Sequence, residues 1–157
     1  MLKFSFTVSL LIIYLINQYD NHSVQRPHHV LKTGWYYLED RKNDYPMQLD
    51  KSDENYYINP NSIVLAKHFS KVGLEDIKYE GKANQFVLIQ FDALGTDAWS
   101  RATAKAFHKK LALIIDNRLV YVPQVNAQIT SGVSALNRGN YSKKELQEFV
   151  DIIRKEM

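Results

Sequence analysis

Three aspartates in the second half of the chain have the residue type and the spacing to act together. Asp92, Asp97 and Asp116 would form an acidic cluster if the segments that carry them converge. Carboxylates that share a concave pocket perturb one another's protonation and can bind a ligand or support hydrolysis. Two of them also have a local explanation, since Asp92 precedes a helical pattern as a cap and Asp116 lies in a turn. A ligand-binding protein or hydrolase that uses this region is therefore one alternative for the function.

The histidines and serines do not have the spacing that metal binding or serine catalysis needs, and cysteine is absent. The chain has no cysteine, which excludes disulfides, thiol nucleophiles and thiolate metal sites. The adjacent pair His28-His29 cannot place two ligands on one helical face, and residues 132–136 (GVSAL) do not follow the G-x-S-x-G pattern of serine hydrolases. We therefore predict no catalytic residue, no metal site and no cofactor. The other histidines are dispersed along the chain: His22, His68 and His108.

The composition is that of an ordinary globular domain. Of the 157 residues, 45% are hydrophobic and 24% are charged, and this length corresponds to one domain. The net charge is only +3 and the basic residues are scattered, whereas nucleic-acid binding needs a concentrated basic stripe. We therefore expect a single hydrophobic core and no nucleic-acid partner.

Aromatic residues occupy neighbouring positions at two places in the first half of the chain. Trp35, Tyr36 and Tyr37 follow one another, as do Tyr56 and Tyr57. Successive side chains of a strand point to opposite faces, so one residue of each doublet belongs to the core and its neighbour to the surface. Exposed tyrosine and tryptophan suit contact surfaces, although a packed second face explains them equally well. We take Trp35, Tyr37 and Tyr57 as candidate binding residues.

A second candidate contact region is the stretch 123–129 (PQVNAQI), which joins two predicted strands. Gln124 and Asn126 are the candidate binding residues in it. The plain alternative is that the stretch is only a connection.

The N-terminus has the outline of a secretory signal. Lys3 precedes an apolar run at residues 4–16 (FSFTVSLLIIYLI), after which polar residues return. The run is shorter than the ~20 residues of a usual membrane-spanning helix, which favours a cleaved signal, but no A-x-A-like site follows, which favours a retained anchor. A buried core helix is a third alternative. We predict a signal peptide or membrane anchor at 1–23, a tether at 24–32 and one extracytoplasmic domain at 33–157.

The first part of this domain indicates short extended segments. Residues 33–38 (TGWYYL) are strand-like, whereas residues 39–55 are dense in charge and turn formers and predict a surface excursion. Residues 56–58 and 63–65 flank Asn59-Pro60-Asn61, which is a turn signal. We therefore expect two short strands around a turn there.

From residue 85 onwards the pattern is sharper and alternates between strand and helix. Ser142 and Glu145 form a capping box at the start of the last helix. The order is β-α-β-β-β-α, which predicts an α+β fold with a mostly antiparallel sheet and helices on one face. The elements are a strand at 85–91, a helix at 94–107, a hairpin of 111–115 and 119–122, a short extended stretch within 129–136 and the helix from Ser142.

These segments resemble the head subdomain of the first periplasmic domain of SecD and SecDF, the membrane proteins that assist protein export. The resemblance covers residues 85–157, with a fainter echo at residues 33–36 and 56–65. Two departures stand out: Asn117 replaces the family's turn glycine, and Asn137 replaces an apolar residue, so we assign that apolar role to Leu136 through a bulge or a shifted register. The matching positions are Phe91, Gly95, Trp99 and Thr103, the hairpin 111–123 (LALIIDNRLVYVP), Ile129 and Gly132, and the helix start 139–145 (GNYSKKE).

The resemblance implies a non-enzymatic, extracytoplasmic interaction module. Its implied partner is a protein or an extended polypeptide, such as an exported chain or a component of the Sec translocon or envelope, with the membrane reached through the N-terminal segment if that is retained. One mode of contact would be addition of a strand to an exposed sheet edge. The alternative is a small envelope ligand-binding protein or hydrolase that uses Asp92, Asp97 and Asp116.

Overall fold

A computed structural model describes residues 30–79 and 82–157 of the chain. The predicted signal peptide or anchor at 1–23 and most of the predicted tether lie outside the described residues. Leu31, which belongs to the segment predicted as a tether, is buried, and its backbone N–H donates to the Asn117 side-chain oxygen at 2.9 Å. The packed part of the described chain therefore begins at this residue.

The described chain contains eight strands, one short 3-10 helix (Ala66–His68) and two α-helices, α1 (Ala93–Lys105) and α2 (Lys143–Glu156). Neither helix is long and apolar enough to cross a membrane. Residues 82–157 follow the order β-α-β-β-β-α, which confirms the predicted α+β class. The strands are β1 (Gly34–Glu39), β2 (Pro46–Gln48), β3 (Asn55–Leu65), β4 (Phe69–Tyr79), β5 (Lys82–Phe91), β6 (Leu111–Ile115), β7 (Arg118–Tyr121) and β8 (Val133–Asn137).

The strands form two sheets, a division that no pattern in the sequence predicts. A five-stranded sheet has the order β2-β3-β1-β6-β7, and a three-stranded sheet has the order β4-β5-β8. Every named pair of strands is antiparallel. The long strand β4 was not predicted from the sequence, because residues 66–84 mix charged and apolar side chains without a clear period of two.

The five-stranded sheet curls until its two edges meet. The chain that leaves β2 continues through Leu49, which forms a bridge to Leu119 of β7, and the Asp50 N–H donates to the Leu119 carbonyl at 2.8 Å. Arg118 and Asp50 reinforce the closure with an ion pair of 2.6 Å. The curled sheet encloses a small second core that contains Leu31, Tyr36, Ile58, Ala112, Ile114 and Leu119.

The main core is formed by both sheets and both helices. Trp35 of β1, Phe91 of β5 and Trp99 of α1 are all buried there in one aromatic cluster. Helix α2 adds an apolar face at helical spacing, which is why it covers the sheets with one side and leaves its charged side in water. The buried residues of that face are Leu146, Phe149, Val150 and Ile153.

Local signals in the sequence are confirmed at the turns and caps. Ser142 and Glu145 make both hydrogen bonds of a capping box at the start of α2. Asp116 and Asn117 have φ of 48° and 57°, so the hairpin of β6 and β7 turns through two left-handed residues. Asparagine tolerates this conformation far better than most residues, and it therefore replaces glycine at the turn.

Two local expectations were wrong. Residues 56–58 and 63–65 belong to a single strand, β3, in which residues 59–61 bulge out opposite β1. Leu136 takes the buried position without any bulge or shift, since it pairs directly with Val87 in a regular β5–β8 ladder. Asn137 is exposed and lies at the end of that ladder, where a polar residue has no cost of burial.

Candidate binding site

An open groove lies between β7, β8 and the connection 122–132. It has a volume of about 480 Å³, which is within the range of about 300–1,000 Å³ that is usual for ligand sites. Most of its lining is apolar, and the amide side chains of Gln124 and Asn126 lie on the loop side. We call it the β8 groove; its principal lining residues are Trp35, Trp99, Leu111, Tyr121, Gln124, Val125, Asn126, Ile129, Val133, Ser134 and Ala135.

Two tryptophans form the aromatic part of the groove. The ring centroids of Trp35 and Trp99 are 4.8 Å apart, with the rings tilted by 47°. The Trp35 indole N–H donates to the Ser134 hydroxyl at 3.1 Å. The Trp99 indole N–H is buried and has no hydrogen-bond partner within the described residues. Tyr121 completes the aromatic lining, and burial raises the pKa of its phenol, as expected in apolar surroundings.

The β8 strand presents a free edge beside this groove. The Phe91 N–H donates to the Gly132 carbonyl at 2.9 Å, and the Arg138 N–H donates to the Gln85 carbonyl at 3.1 Å. In an antiparallel ladder, residues whose backbone N–H and C=O groups bond to the neighbouring strand alternate with residues whose backbone groups point away from it. The backbone groups of Val133 and Ala135 therefore point away from β5, and β8 is the last strand of its sheet in the described chain.

The loop wall of the groove is held by hydrogen bonds to α1. The buried Thr103 hydroxyl accepts the Ile129 N–H at 2.9 Å, and the Gln128 side chain donates to the Ser100 hydroxyl at 2.9 Å. Gly132 has φ of +69° and lies against the Thr96 side chain, with no room for a Cβ atom. These contacts make the groove a preformed feature of the fold.

A second concavity, of about 570 Å³, is lined by three tyrosines from the first half of the chain. Tyr37 and Tyr57 both line it, and so does Tyr56. The Lys105 ammonium lies 4.9 Å from the centroid of the Tyr37 ring. Burial raises the pKa of Tyr37, and the nearby Arg101 opposes that rise. We call this concavity the tyrosine cleft; its other lining residues include Glu39, Asp40, His108, Lys109 and Lys110.

Comparison with known proteins decides the family. The sequence model of one protein family, the SecDF P1 head subdomain, matches residues 42–156, which is most of the chain. The chain belongs to this family. The match starts well before residue 85, where the clearest part of the resemblance seen in the sequence begins, and it includes β2, β3, β6 and β7 of the five-stranded sheet but not β1. No curated protein matches the chain.

Two solved SecDF structures share the fold. A crystal structure of SecDF in its super-membrane-facing form has a TM-score of 0.54 and 15% identity over 96% of this chain, which corresponds to 17% of that chain. A structure of SecDF described as a membrane component that enhances protein export has a TM-score of 0.59 and 11% identity, over 98% of this chain and 71% of that chain. At these identities the likeness shows the fold, and the chain spans about a sixth of the first SecDF chain's length.

Membership of the SecDF P1 head family makes this chain a module related to protein export. In SecDF, the P1 head lies in the periplasmic region of a membrane protein. The predicted resemblance is thereby confirmed, whereas the particular partners and the residues that contact them remain predictions.

The candidate binding residues fall into two groups in this chain. Trp35, Gln124 and Asn126 line the β8 groove, while Tyr37 and Tyr57 line the tyrosine cleft. Trp35 is only 1% exposed, so a ligand would reach it only through the groove. Gln124 and Asn126 are exposed on the loop.

Sequence reasoning missed other lining residues of the groove. Trp99 and Tyr121 were assigned to a helix and a strand without a role in binding, whereas Ile129 is the last residue of the predicted contact region 123–129. Val133 and Ala135 contribute their backbone N–H and C=O groups to the site. No pattern of side chains in the sequence indicates which backbone N–H groups point outward. The only sequence signal for them was the prediction that the extended stretch within 129–136 is the last strand.

Each of the three aspartates has a local structural role: a helix cap, an ion pair on a helix surface or a turn position. Asp92 caps α1 by accepting the Gly95 N–H at 2.7 Å and lies 3.0 Å from His68 Nδ1; these two contacts, the cap first, lower the pKa of Asp92. Asp97 forms an ion pair with Arg101 on the helix surface, and Asp116 is the first residue of the hairpin turn. No hydrogen bond or ion pair joins the three in the described chain, and no group of three or more potential metal ligands occurs at residues 30–79 and 82–157.

Proposed function

We propose that the chain is a non-enzymatic extracytoplasmic module that binds an extended segment of an exported polypeptide in the β8 groove. The observation that carries this proposal is the coincidence of a free strand edge with an apolar groove. Val133 and Ala135 point their backbone groups away from β5, and the same residues line the groove with the two tryptophans.

The free edge supports recognition of a backbone without regard to sequence. A strand that pairs with β8 would exchange hydrogen bonds with the N–H and C=O groups of Val133 and Ala135. Every polypeptide has these groups, so a module that assists many exported chains gains affinity for all of them in the same way.

The groove lining supports a preference for apolar side chains. Alternate residues of a bound strand point to the same face, so every second side chain of the segment would enter the space lined by Trp99, Tyr121 and Ile129. Gln124 and Asn126 would bond polar backbone or side-chain groups at the loop side. An unfolded polypeptide exposes both apolar side chains and unpaired backbone groups.

The two tryptophans of the chain give a direct test, because both line this groove. We would titrate the full chain with a soluble synthetic peptide that alternates valine with serine or lysine and contains no tryptophan. The proposal expects a saturable change in tryptophan emission. A matched peptide with N-methyl groups at alternate backbone positions retains the side chains but cannot pair with an edge, and it should bind much more weakly.

A variant of the edge separates pairing from simple burial. Ala135→Pro removes an N–H that points away from β5, and proline is tolerated at such edge positions because the ladder to β5 is retained. We expect this variant to lose the response to the unmodified peptide while its circular dichroism stays the same. Equal binding of both peptides, or no response to either, would overturn the proposed function.

The extracytoplasmic location is part of the same proposal and rests on the apolar run at residues 4–16. Intact-protein mass spectrometry of fractionated cells tests it. Loss of about twenty residues with recovery outside the cytoplasm indicates a cleaved signal, and an intact chain in the membrane fraction indicates an anchor. Recovery of the intact chain in the cytoplasm would contradict the location.

A further inference from the structure

Strand β4 is the other edge of the three-stranded sheet. Because residues 85, 87, 89 and 91 of β5 bond to β8, the alternate residues of β5 bond to β4. In β4, the residues with outward backbone groups are therefore Val72, Leu74, Asp76 and Lys78. Arg154 of α2 donates to the Val72 carbonyl at 3.1 Å and covers that end. The outward groups from Leu74 to Lys78 have no such cover in the described chain.

The uncovered part of β4 is exposed and carries an apolar residue. Strand β8 pairs only with residues 86–90 of β5. The part of the β4–β5 hairpin formed by residues 76–79 and 82–85 therefore extends beyond β8. Ile77 is 41% exposed, and Asp76 and Lys78 on either side of it are exposed as well. Neither charged residue takes part in an ion pair within the described residues. An exposed edge of this kind is a template for pairing with another strand.

We infer that two copies of this chain pair antiparallel through their β4 edges, about a two-fold axis at Ile77. In that register, Asp76 of one copy is opposite Lys78 of the second copy, and Lys78 is opposite Asp76. Both residues have outward backbone groups, so they form the hydrogen-bonded pairs. The two Ile77 side chains face each other in the closer, non-hydrogen-bonded pair between them.

The charges select this register and this occupant. A shift by two residues in the pairing would place Asp76 opposite Asp76 of the second copy, and like charges directly opposite each other are destabilising. A shift by one residue would bring outward-pointing residues opposite residues whose groups already bond to β5. The self-complementary order of acid, isoleucine and base fits a second copy better than a partner of arbitrary sequence.

The absence of cysteine from the chain makes a disulfide test unambiguous. In the proposed dimer, the two Cα atoms at position 77 are about 4.5 Å apart, which is within the range for a disulfide of about 4.4–6.8 Å. Under mild oxidation the full-length Ile77→Cys variant should form a dimer that is visible on a non-reducing gel and lost on reduction.

Glu75→Cys is the matched control, since it lies on the same strand, on the same face and is also exposed. In the proposed register the two positions 75 are about 13 Å apart, so this variant should stay monomeric. Equal cross-linking of both variants would indicate random collision and would overturn the inference, as would no cross-linking of Ile77→Cys.

Charge reversal tests the register itself in the Ile77→Cys background. Asp76→Lys places two lysines opposite each other and should abolish the cross-link, and adding Lys78→Asp should restore it. Asp53→Lys, at an exposed turn position elsewhere, changes the net charge equally and should leave the cross-link intact. Failure of the double exchange to restore the dimer would contradict the proposed pairing, whatever the result with peptides in the β8 groove.

Discussion

The indole N–H of Trp35 donates to the hydroxyl of Ser134 at 3.1 Å, and this buried hydrogen bond joins the two sheets. Trp35 lies in β1, the central strand of the curled sheet, and Ser134 lies in β8. Both residues line the β8 groove. The bond therefore positions the free edge of β8 relative to the aromatic lining, and the two parts of the proposed peptide site depend on it.

Ser134→Ala should destabilise the protein by about 1–3 kcal/mol, because it leaves a buried indole N–H without an acceptor. Chemical denaturation measures this loss. Ser131→Ala is the control: Ser131 also lines the groove but is exposed and makes no hydrogen bond through its side chain in the described structure, so its effect should be within about 0.5 kcal/mol. Equal stability of the two variants would show that the bond contributes nothing.

Gly34→Ala should destabilise the protein by about 1–3 kcal/mol, because a Cβ at this position would lie 2.5 Å from the Val64 carbonyl oxygen and force β1 and β3 apart. Gly73→Ala, in strand β4, is a matched control, since its nearest neighbour would be the Glu75 side chain at 3.8 Å. Thermal denaturation of both variants makes the comparison. A loss for Gly73→Ala as large as that for Gly34→Ala would contradict the steric explanation.

Asp116→Val should cost about 1–2 kcal/mol, since a left-handed conformation disfavours side chains and most of all β-branched ones. Asp116→Gly keeps the turn accessible and should be close to neutral. The measurement is the difference between the two variants in urea unfolding. If valine and glycine were equivalent, the hairpin turn would have to adopt another conformation from the one described.

Glu145 gives the protein a pH dependence at acid pH. Its contact of 2.6 Å with Lys51, followed by its bond to the Ser142 backbone, lowers the pKa of its carboxyl from 4.5 to about 2. Because the pKa is lower in the folded state, the ionised carboxylate stabilises the fold above about pH 4.5. That contribution is lost as the pH falls through 2.

Glu145→Gln should therefore lower the Tm at pH 7, and the difference from the original protein should shrink between pH 4.5 and pH 2. Glutamine can still complete the capping box, so the comparison isolates the charge. Glu148→Gln removes an exposed carboxylate that is 3.9 Å from Lys144 and serves as the control. A Tm difference for Glu145→Gln that stays constant down to pH 2 would contradict the assignment.

Features that depend on neighbours in the chain could be predicted well. The capping box of Ser142 and Glu145, the hairpin with its left-handed Asp116 and Asn117, and the strand and helix from residue 85 are all set by a few consecutive side chains. The α+β class followed from their order, and so did the resemblance to the SecDF head. The stretch 123–129 could likewise be marked as a connection between strands.

Features that depend on the pairing of distant segments could not be predicted. The bridge from Leu49 to Leu119, the bond from Trp35 to Ser134 and the separation of the strands into two sheets join residues that are far apart in the sequence. Loop closure costs about the same for many alternative pairings, so local patterns do not choose among them.

The candidate residues illustrate both cases. The sequence by itself determined that Trp35, Tyr37, Tyr57, Gln124 and Asn126 were suited to contact, because amino-acid type decides what a side chain can bind. Only the tertiary structure decided that they belong to two concavities and that the backbone of β8 completes one of them. The direction of a backbone N–H depends on which strand lies beside it, and that neighbour is selected by the packing of the whole core.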